Sequence, residues 1–266
     1  MDLFELERKF KEETSAFQGK ISYLYAHMDR EKNCFSYQAD DNVVSASMIK
    51  VPIMMAVFNQ MMMENQDLEQ KIMIDDTVIC NDSIVFEYGA REATIYELII
   101  WMIINSDNTA TNALIHYLGM DRLNIYFRNI GLECTKVERR MLDFDAVRKG
   151  RNNYISMSDF YQCMKMLVRK EVLNDNYCHL ALWIMRQNRD EFCMKRYLYE
   201  CPQVAHKTGE LDAIVHDAGI IYGPRGKYFL GIFISEFEPS HEQEAKKLIG
   251  RLSRYVYDSE QSAENQ

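Results

Sequence analysis

The chain reads as an α/β protein of the α+β type, in which a five-stranded antiparallel sheet is flanked by terminal helices and carries an inserted all-helical lobe. Three observations predict this. Two short alternating runs lie near the N-terminus, and the last third changes period and reads as three further strands between turn signals. Between them, Ser47 to about Asn188 is mainly helical in pattern. Gly (11) and Pro (4) are scarce among 266 residues, which favours helix over a loop-rich all-β sandwich. Two strands at one end and three at the other most simply form one sheet. The expected division, within a single unit spanning 1–266, is an α/β lobe of 1–46 plus 203–266 and a helical lobe of 47–202. Two-lobe folds place their sites in the seam.

The elements follow in order. Residues 2–18 form an amphipathic helix with Leu3, Leu6, Phe10 and Phe17 on one stripe. Residues 21–25 and 34–38 are strands, and the polar Asp29-Arg30-Glu31-Lys32-Asn33 makes them a hairpin. Helical periodicity covers 48–63, 94–105, 109–129, 157–172 and 175–187, with Gly131 a helix stop and Gly119 an earlier candidate break. Strands are expected at 203–208, 214–222 and 227–236, punctuated by Leu211-Asp212 and Gly223-Pro224-Arg225-Gly226. A last amphipathic helix covers about 241–257, before a Ser/Glu/Gln-rich end expected to fray.

Composition narrows the function. With 31 Lys+Arg against 40 Asp+Glu the net charge is −9, and no basic block offers a nucleic-acid footprint. Apolar-rich runs such as Leu98 to Ile104 fall short of a membrane span. The seven cysteines are odd in number and include no C-x-x-C pair, so buried free thiols are expected rather than a disulfide framework or zinc site. No metal-ligand spacing occurs among the histidines and carboxylates, and no cofactor is implied. The acidic start, Met1 to Glu7, lacks the basic and apolar regions of an export signal, which predicts a cytoplasmic location.

Three short motifs carry the chemistry. Ser47-Met48-Ile49-Lys50 is an S-x-x-K at the start of a long apolar helix. A hydroxyl there meets free backbone N–H groups and the positive end of the helix dipole, which stabilise an oxyanion. A lysine three residues on can take its proton where desolvation and nearby cations lower the amine's pKa. An N-cap serine followed by a solvated lysine would read the same way. Ser106-Asp107-Asn108 lies in a turn between two helices, and Lys207-Thr208-Gly209 on the first strand of the C-terminal trio. Their joint occurrence, in this order and context, has a chance probability of roughly one in a thousand or less.

S-x-x-K, S-D-N and K-T-G in this order resemble the penicillin-recognising serine enzymes, most closely class A β-lactamases and low-molecular-weight penicillin-binding proteins. The strings Met102 to Asn112 and His206 to Leu211 extend the likeness. The resemblance implies a five-stranded sheet with an inserted helical lobe, and assigns roles. Ser47 would be the acylated nucleophile, and Lys50 its base or part of the proton relay. Ser106 would pass a proton to the leaving nitrogen, and Asn108 would hold the substrate amide and the Lys50 amine. Lys207, Thr208 and Gly209 would receive the substrate carboxylate, and the backbone N–H groups of Ser47 and Glu210 would form the oxyanion hole. The substrate implied is a small β-lactam, peptide or ester.

Two departures stand out. Class A β-lactamases carry Arg, one residue, then Glu-Pro on the loop after the helical block, and that glutamate activates the water for deacylation. Aligning Arg139 with that arginine puts Met141 and Leu142 in place of Glu-Pro, and methionine cannot act as a base. Asp143 or Asp145 could substitute, or could instead hold the loop by pairing with Arg139, Arg140 or Arg148. On the strand after Lys207, where the family often has an arginine for the carboxylate, this chain has Val215-His216-Asp217. His216 is a candidate cation there, or one half of a satisfied pair with Asp217. The leading expectation is a hydrolase with an acyl-Ser47 intermediate and slow deacylation. The alternatives are a peptidase, amidase or esterase of the penicillin-binding type, and a ligand-binding sensor without turnover.

Overall fold

The computed structural model describes residues 1–30, 32–83 and 92–262. The five-stranded antiparallel sheet contains β1 (Lys20–His27), β2 (Cys34–Tyr37), β7 (Gln203–Leu211), β8 (Ile214–Gly223) and β9 (Gly226–Ser235), in the order β2-β1-β9-β8-β7. Two-residue strands β3 (Val43–Val44) and β6 (Tyr154–Ile155) pair with each other, as do β4 (Lys71–Met73) and β5 (Glu92–Thr94). Helix α1 (Leu3–Ser15) begins on Asp2, whose side chain accepts from Glu5 N, and packs against α9 (Glu242–Ser262). The inserted helices are α2 (Lys50–Glu64), α3 (Ile95–Ile104), α4 (Asn108–Leu118), α5 (Met120–Asn129), α6 (Phe144–Arg148), α7 (Met157–Arg169) and α8 (Asp175–Arg186).

The sheet separates two cores. On β9, Phe229 and Phe233 face the helical block, while Tyr228, Leu230, Ile232 and Ile234 join Leu6, Phe10, Leu248 and Leu252 of the terminal helices. Both faces are covered, which is why this strand reads as one continuous apolar run. Gly231 is required where α7 crosses, because a Cβ there would lie 2.3 Å from Met157 Sδ.

Most predicted elements appear within a few residues of their expected ends. The expected 109–129 helix divides at Gly119, where φ is +82° and α4 gives way to α5. The last helix continues to Ser262, beyond the expected onset of fraying, and residues 263–266 lie outside those described, as does Glu31 of the hairpin turn. The reading of apolar runs needs one correction. Residues 46–64 have the length and apolar composition of a membrane span, with mean hydropathy 1.2, but 72% of that stretch is buried inside this fold.

Candidate active site

The nucleophile motif differs from the simple helix start that the sequence predicts. Ser47 lies in a 3₁₀ turn, Ala46–Ile49, and the α-helix begins only at Lys50. With three residues per turn, side chains three apart eclipse, so the turn sets Ser47 and Lys50 on one face. Ala46 is held at φ +43°. The turn is fastened on both sides. Ser45 N donates to Asn153 O at 2.9 Å, and β7 approaches so closely that a Cβ on Gly209 would lie 3.1 Å from Ser47 N.

The second motif is built by helix ends. Thr94 and Glu97 form a capping box that starts α3, and Asp107 N donates back to Trp101 O at 3.0 Å as that helix closes. Asp107 then caps α4 by accepting from Ala110 N at 2.7 Å, and it also accepts from Ser83 Oγ at 2.5 Å. Between these fixed ends Ser106 adopts φ +54°. Left-handed backbone at a non-glycine residue is strained and persists where its surroundings over-determine it.

The three motifs converge on the Ser106 hydroxyl. It donates to Ser47 Oγ at 2.9 Å and accepts from Lys50 Nζ and Lys207 Nζ, each at 3.1 Å. Lys50 Nζ also donates to Ser106 O at 2.6 Å and Asn108 Oδ1 at 2.9 Å, and Lys207 Nζ donates to Thr208 O at 2.7 Å. Both amines are buried, at 0% and 1% exposure. Burial, reinforced by the charge of Lys207, pushes the Lys50 amine well below the ordinary lysine range, opposed by Asp107 and Asp82. Burial also lowers Lys207 to about 8, opposed by Asp190, Asp217 and Glu210. Two buried amines on one hydroxyl, which itself donates to Ser47 Oγ, attract an anion and leave one amine able to take a proton.

The surroundings of His216, Asp143 and Asp145 do not fit the roles expected of them. His216 is wholly buried, its ring against Phe233 and its Nε2 bonded to Val44 O at 3.1 Å. Desolvation lowers its pKa to about 4, so it is a neutral packing group and not a cation for a substrate carboxylate. Nor does it pair with Asp217, which binds His206 Nδ1 at 2.8 Å on the opposite face of the sheet. Asp145 is exposed and paired with Arg148, and Asp143 caps α6 by accepting from Ala146 N at 2.9 Å. Neither carboxylate lines the cleft with Ser47. Arg139 is used locally as well, donating to Asn152 Oδ1 and Arg140 O.

The cleft beside Ser47 is instead walled by Met141, Leu142 and Phe144, with Leu211 and Glu210 from the strand side. Asn112 clamps this wall, accepting from Met141 N at 2.7 Å and donating to Met141 O at 3.2 Å. The Glu210 carboxylate is engaged by Lys246 at 2.8 Å. Asp82 also lines the cleft and accepts from Asn108 Nδ2 at 2.8 Å. Sequence reading missed both Asp82 and the Asn112 clamp. Asn112 sits one helical turn after Asn108, a spacing that puts them on one face; Asp82 lies in Asn81-Asp82-Ser83, which carries no motif, and only the tertiary fold brings it to the site.

A curated β-lactamase of Bacteroides uniformis is 28% identical over 181 residues, 62% of this chain and 60% of that protein. A solved variant of PBP-A, an acyl-enzyme complex with penicillin G, superposes with TM-score 0.87 at 25% identity, covering 97% of this chain and 96% of that one. A β-lactamase of Chitinophaga pinensis has the same fold, with TM-score 0.89 at 21% identity over 96% of this chain and 99% of that one. The model of the β-lactamase enzyme family matches residues 5–259, nearly the whole chain, and the chain belongs to that family.

Proposed function

We propose that the chain is a serine acyl-transfer hydrolase that opens amide bonds, β-lactam rings among them, through an acyl-Ser47 intermediate that it releases slowly. The observation that carries this is the placing of Ser47 Oγ and two buried amines on one hydroxyl, Ser106 Oγ. In the proposed acylation, Ser47 Oγ bonds to the substrate carbonyl carbon while its proton passes through Ser106 to neutral Lys50. The carbon–nitrogen bond then breaks, and the nitrogen takes a proton back by way of Ser106. The N–H groups of Ser47 and Glu210 hold the oxyanion, and Asn108 orients the acyl amide. Lys207, with Thr208 and Gly209, receives the substrate carboxylate.

Slow release is supported by the loop wall. Water attacking an acyl-enzyme needs a base within hydrogen-bond reach, and the loop presents Met141 and Leu142 to the cleft where Asp143 and Asp145 are occupied elsewhere. The same observation favours a second reading, a peptidase, amidase or esterase of the penicillin-binding type that β-lactams merely trap. Intact-protein mass spectrometry with a penicillin tests acylation: a persistent adduct of penicillin mass is expected, and it should vanish in Ser47→Ala. An unmodified wild type, or an undiminished adduct on Ser47→Ala, would overturn the proposal. Small esters and D-Ala-containing peptides then separate the two readings.

A further inference from the structure

The cleft is electrically lopsided. Behind Ser47, on the Ser106 hydroxyl, lie the buried amines of Lys50 and Lys207. Across Asn108 lies a carboxylate, because the Asn108 side chain accepts from Lys50 through Oδ1 and donates to Asp82 through Nδ2. An acyl group passing Asn108 therefore meets Asp82 next, in a cleft lined further by Met141, Leu142, Phe144 and Leu211 and by Arg139, whose guanidinium is held by Asn152 Oδ1 and Arg140 O. The cleft's other acid, Glu210, is already neutralised by Lys246. Among the described residues no lysine or arginine forms an ion pair with Asp82. A site with buried ammonium groups behind Ser47 and an exposed carboxylate beside apolar surface at Asp82 is complementary to a molecule of the opposite pattern.

We propose that Asp82 is a specificity-determining residue that selects acyl groups carrying a primary ammonium beside an apolar side chain, an aminoacyl portion, over neutral or anionic acyl groups. The substrate's carboxylate lies toward Lys207 and its ammonium toward Asp82. This rests on the acyl-transfer reading above and names its substrate class. An exposed carboxylate is a modest discriminator, so the preference over an otherwise identical neutral acyl group is about threefold to fivefold.

Three penicillins that differ only at one side-chain carbon test this: benzyl, α-aminobenzyl and α-carboxybenzyl. Acylation rate constants are read by mass spectrometry on the full chain, at low salt and mildly acid pH, where the amine is charged. The expected order is amino, then neutral, then carboxy, with the gaps narrowing as salt screens the charges. Asp82→Asn should bring the three rates together, Asp82→Lys should reverse the order, and Asp82→Glu should restore it. Because the readout is a ratio, a uniform loss of folded protein or of catalysis leaves it unmoved. Equal or reversed rates on the wild type, or wild-type ratios in Asp82→Asn, would overturn selection by Asp82 while leaving acyl transfer standing. No adduct with any of the three would overturn both.

Discussion

The two walls of the cleft handle charge in opposite ways. On the motif wall, charges that would prefer water are buried and pointed at one another: Lys50 and Lys207 share the Ser106 hydroxyl. On the loop wall, Asp143 and Asp145 lie at most four residues from Met141 in sequence, yet Asp143 caps α6 and Asp145 pairs with Arg148. The difference teaches that local sequence distance says little about a site. Lys207 is 101 residues from Ser106 and touches it, whereas neither nearby aspartate lines the cleft with Ser47. The motif wall is over-determined by caps, a 3₁₀ turn and a close strand; the loop wall is fixed mainly through its backbone, by Asn112.

The contrast can be tested from its largest consequence downward. Met141→Glu would put a carboxylate on the wall that lacks one, and loss of the acyl adduct should speed up by about 10²-fold or more, the scale of general-base catalysis. The decay of the adduct in time-resolved mass spectra checks this; an unchanged decay would mean that the loop wall does not govern release.

The motif wall should show its charge in the pH profile. Lys207 is protonated below about 8, so acylation by a substrate with a carboxylate should fall above that pH, by about tenfold per pH unit at the limit. Lys50, lowered by burial, must be neutral to accept a proton, so the rate should rise with pH on the acid side. An uncharged ester should keep that rise and lose the fall above 8. A fall of equal size with the ester would place the descending limb elsewhere.

Behind that wall, His216 is neutral, with a pKa of about 4 against an ordinary 6.5. Between those values the unfolded chain binds a proton that the folded chain does not, so stability rises with pH through this window and is lost as pH falls from about 6.5 to 4. The full effect is about 3 kcal/mol. Denaturant midpoints from pH 7 to 4 would show it, and the acid loss should shrink in His216→Gln. The smallest effect belongs to the loop. Asp145→Ala removes an exposed ion pair and should change stability by less than about 0.5 kcal/mol, with adduct decay unaltered; a slower decay would return Asp145 to the mechanism.

Much of this was legible in the sequence because it rests on local signals. Two alternating runs and three strand-sized runs between turn signals marked all five strands of the sheet, and S-x-x-K, S-D-N and K-T-G marked the residues that meet at Ser106. What escaped depends on which way a side chain turns. His216 stands opposite Gly209 in the β7–β8 register, and that pairing buries it under the nucleophile turn instead of opening it to the cleft. Asp145 beside Arg148 is an ordinary i, i+3 pair, visible only once α6 is known to be a helix. Asp82 comes to Asn108 across 26 residues, a distance that no short motif spans.

Gly209 sets a tolerance. Its missing side chain fixes the width of the gap between strand and nucleophile turn, since even a methyl group there would press on Ser47 N at 3.1 Å and on Ala46 Cβ and Met48 Cγ at 3.2 Å. The glycine thus acts less as a flexible joint than as a shim cut to zero thickness. A larger residue would change one letter of K-T-G and keep every fold element, yet would push aside the Ser47 N–H, proposed above to hold the oxyanion, by a few tenths of an ångström. Such a change would leave the substrate's resting fit nearly intact and spoil its fit at the barrier top, so in this family a silent-looking substitution can remove the chemistry while the architecture survives.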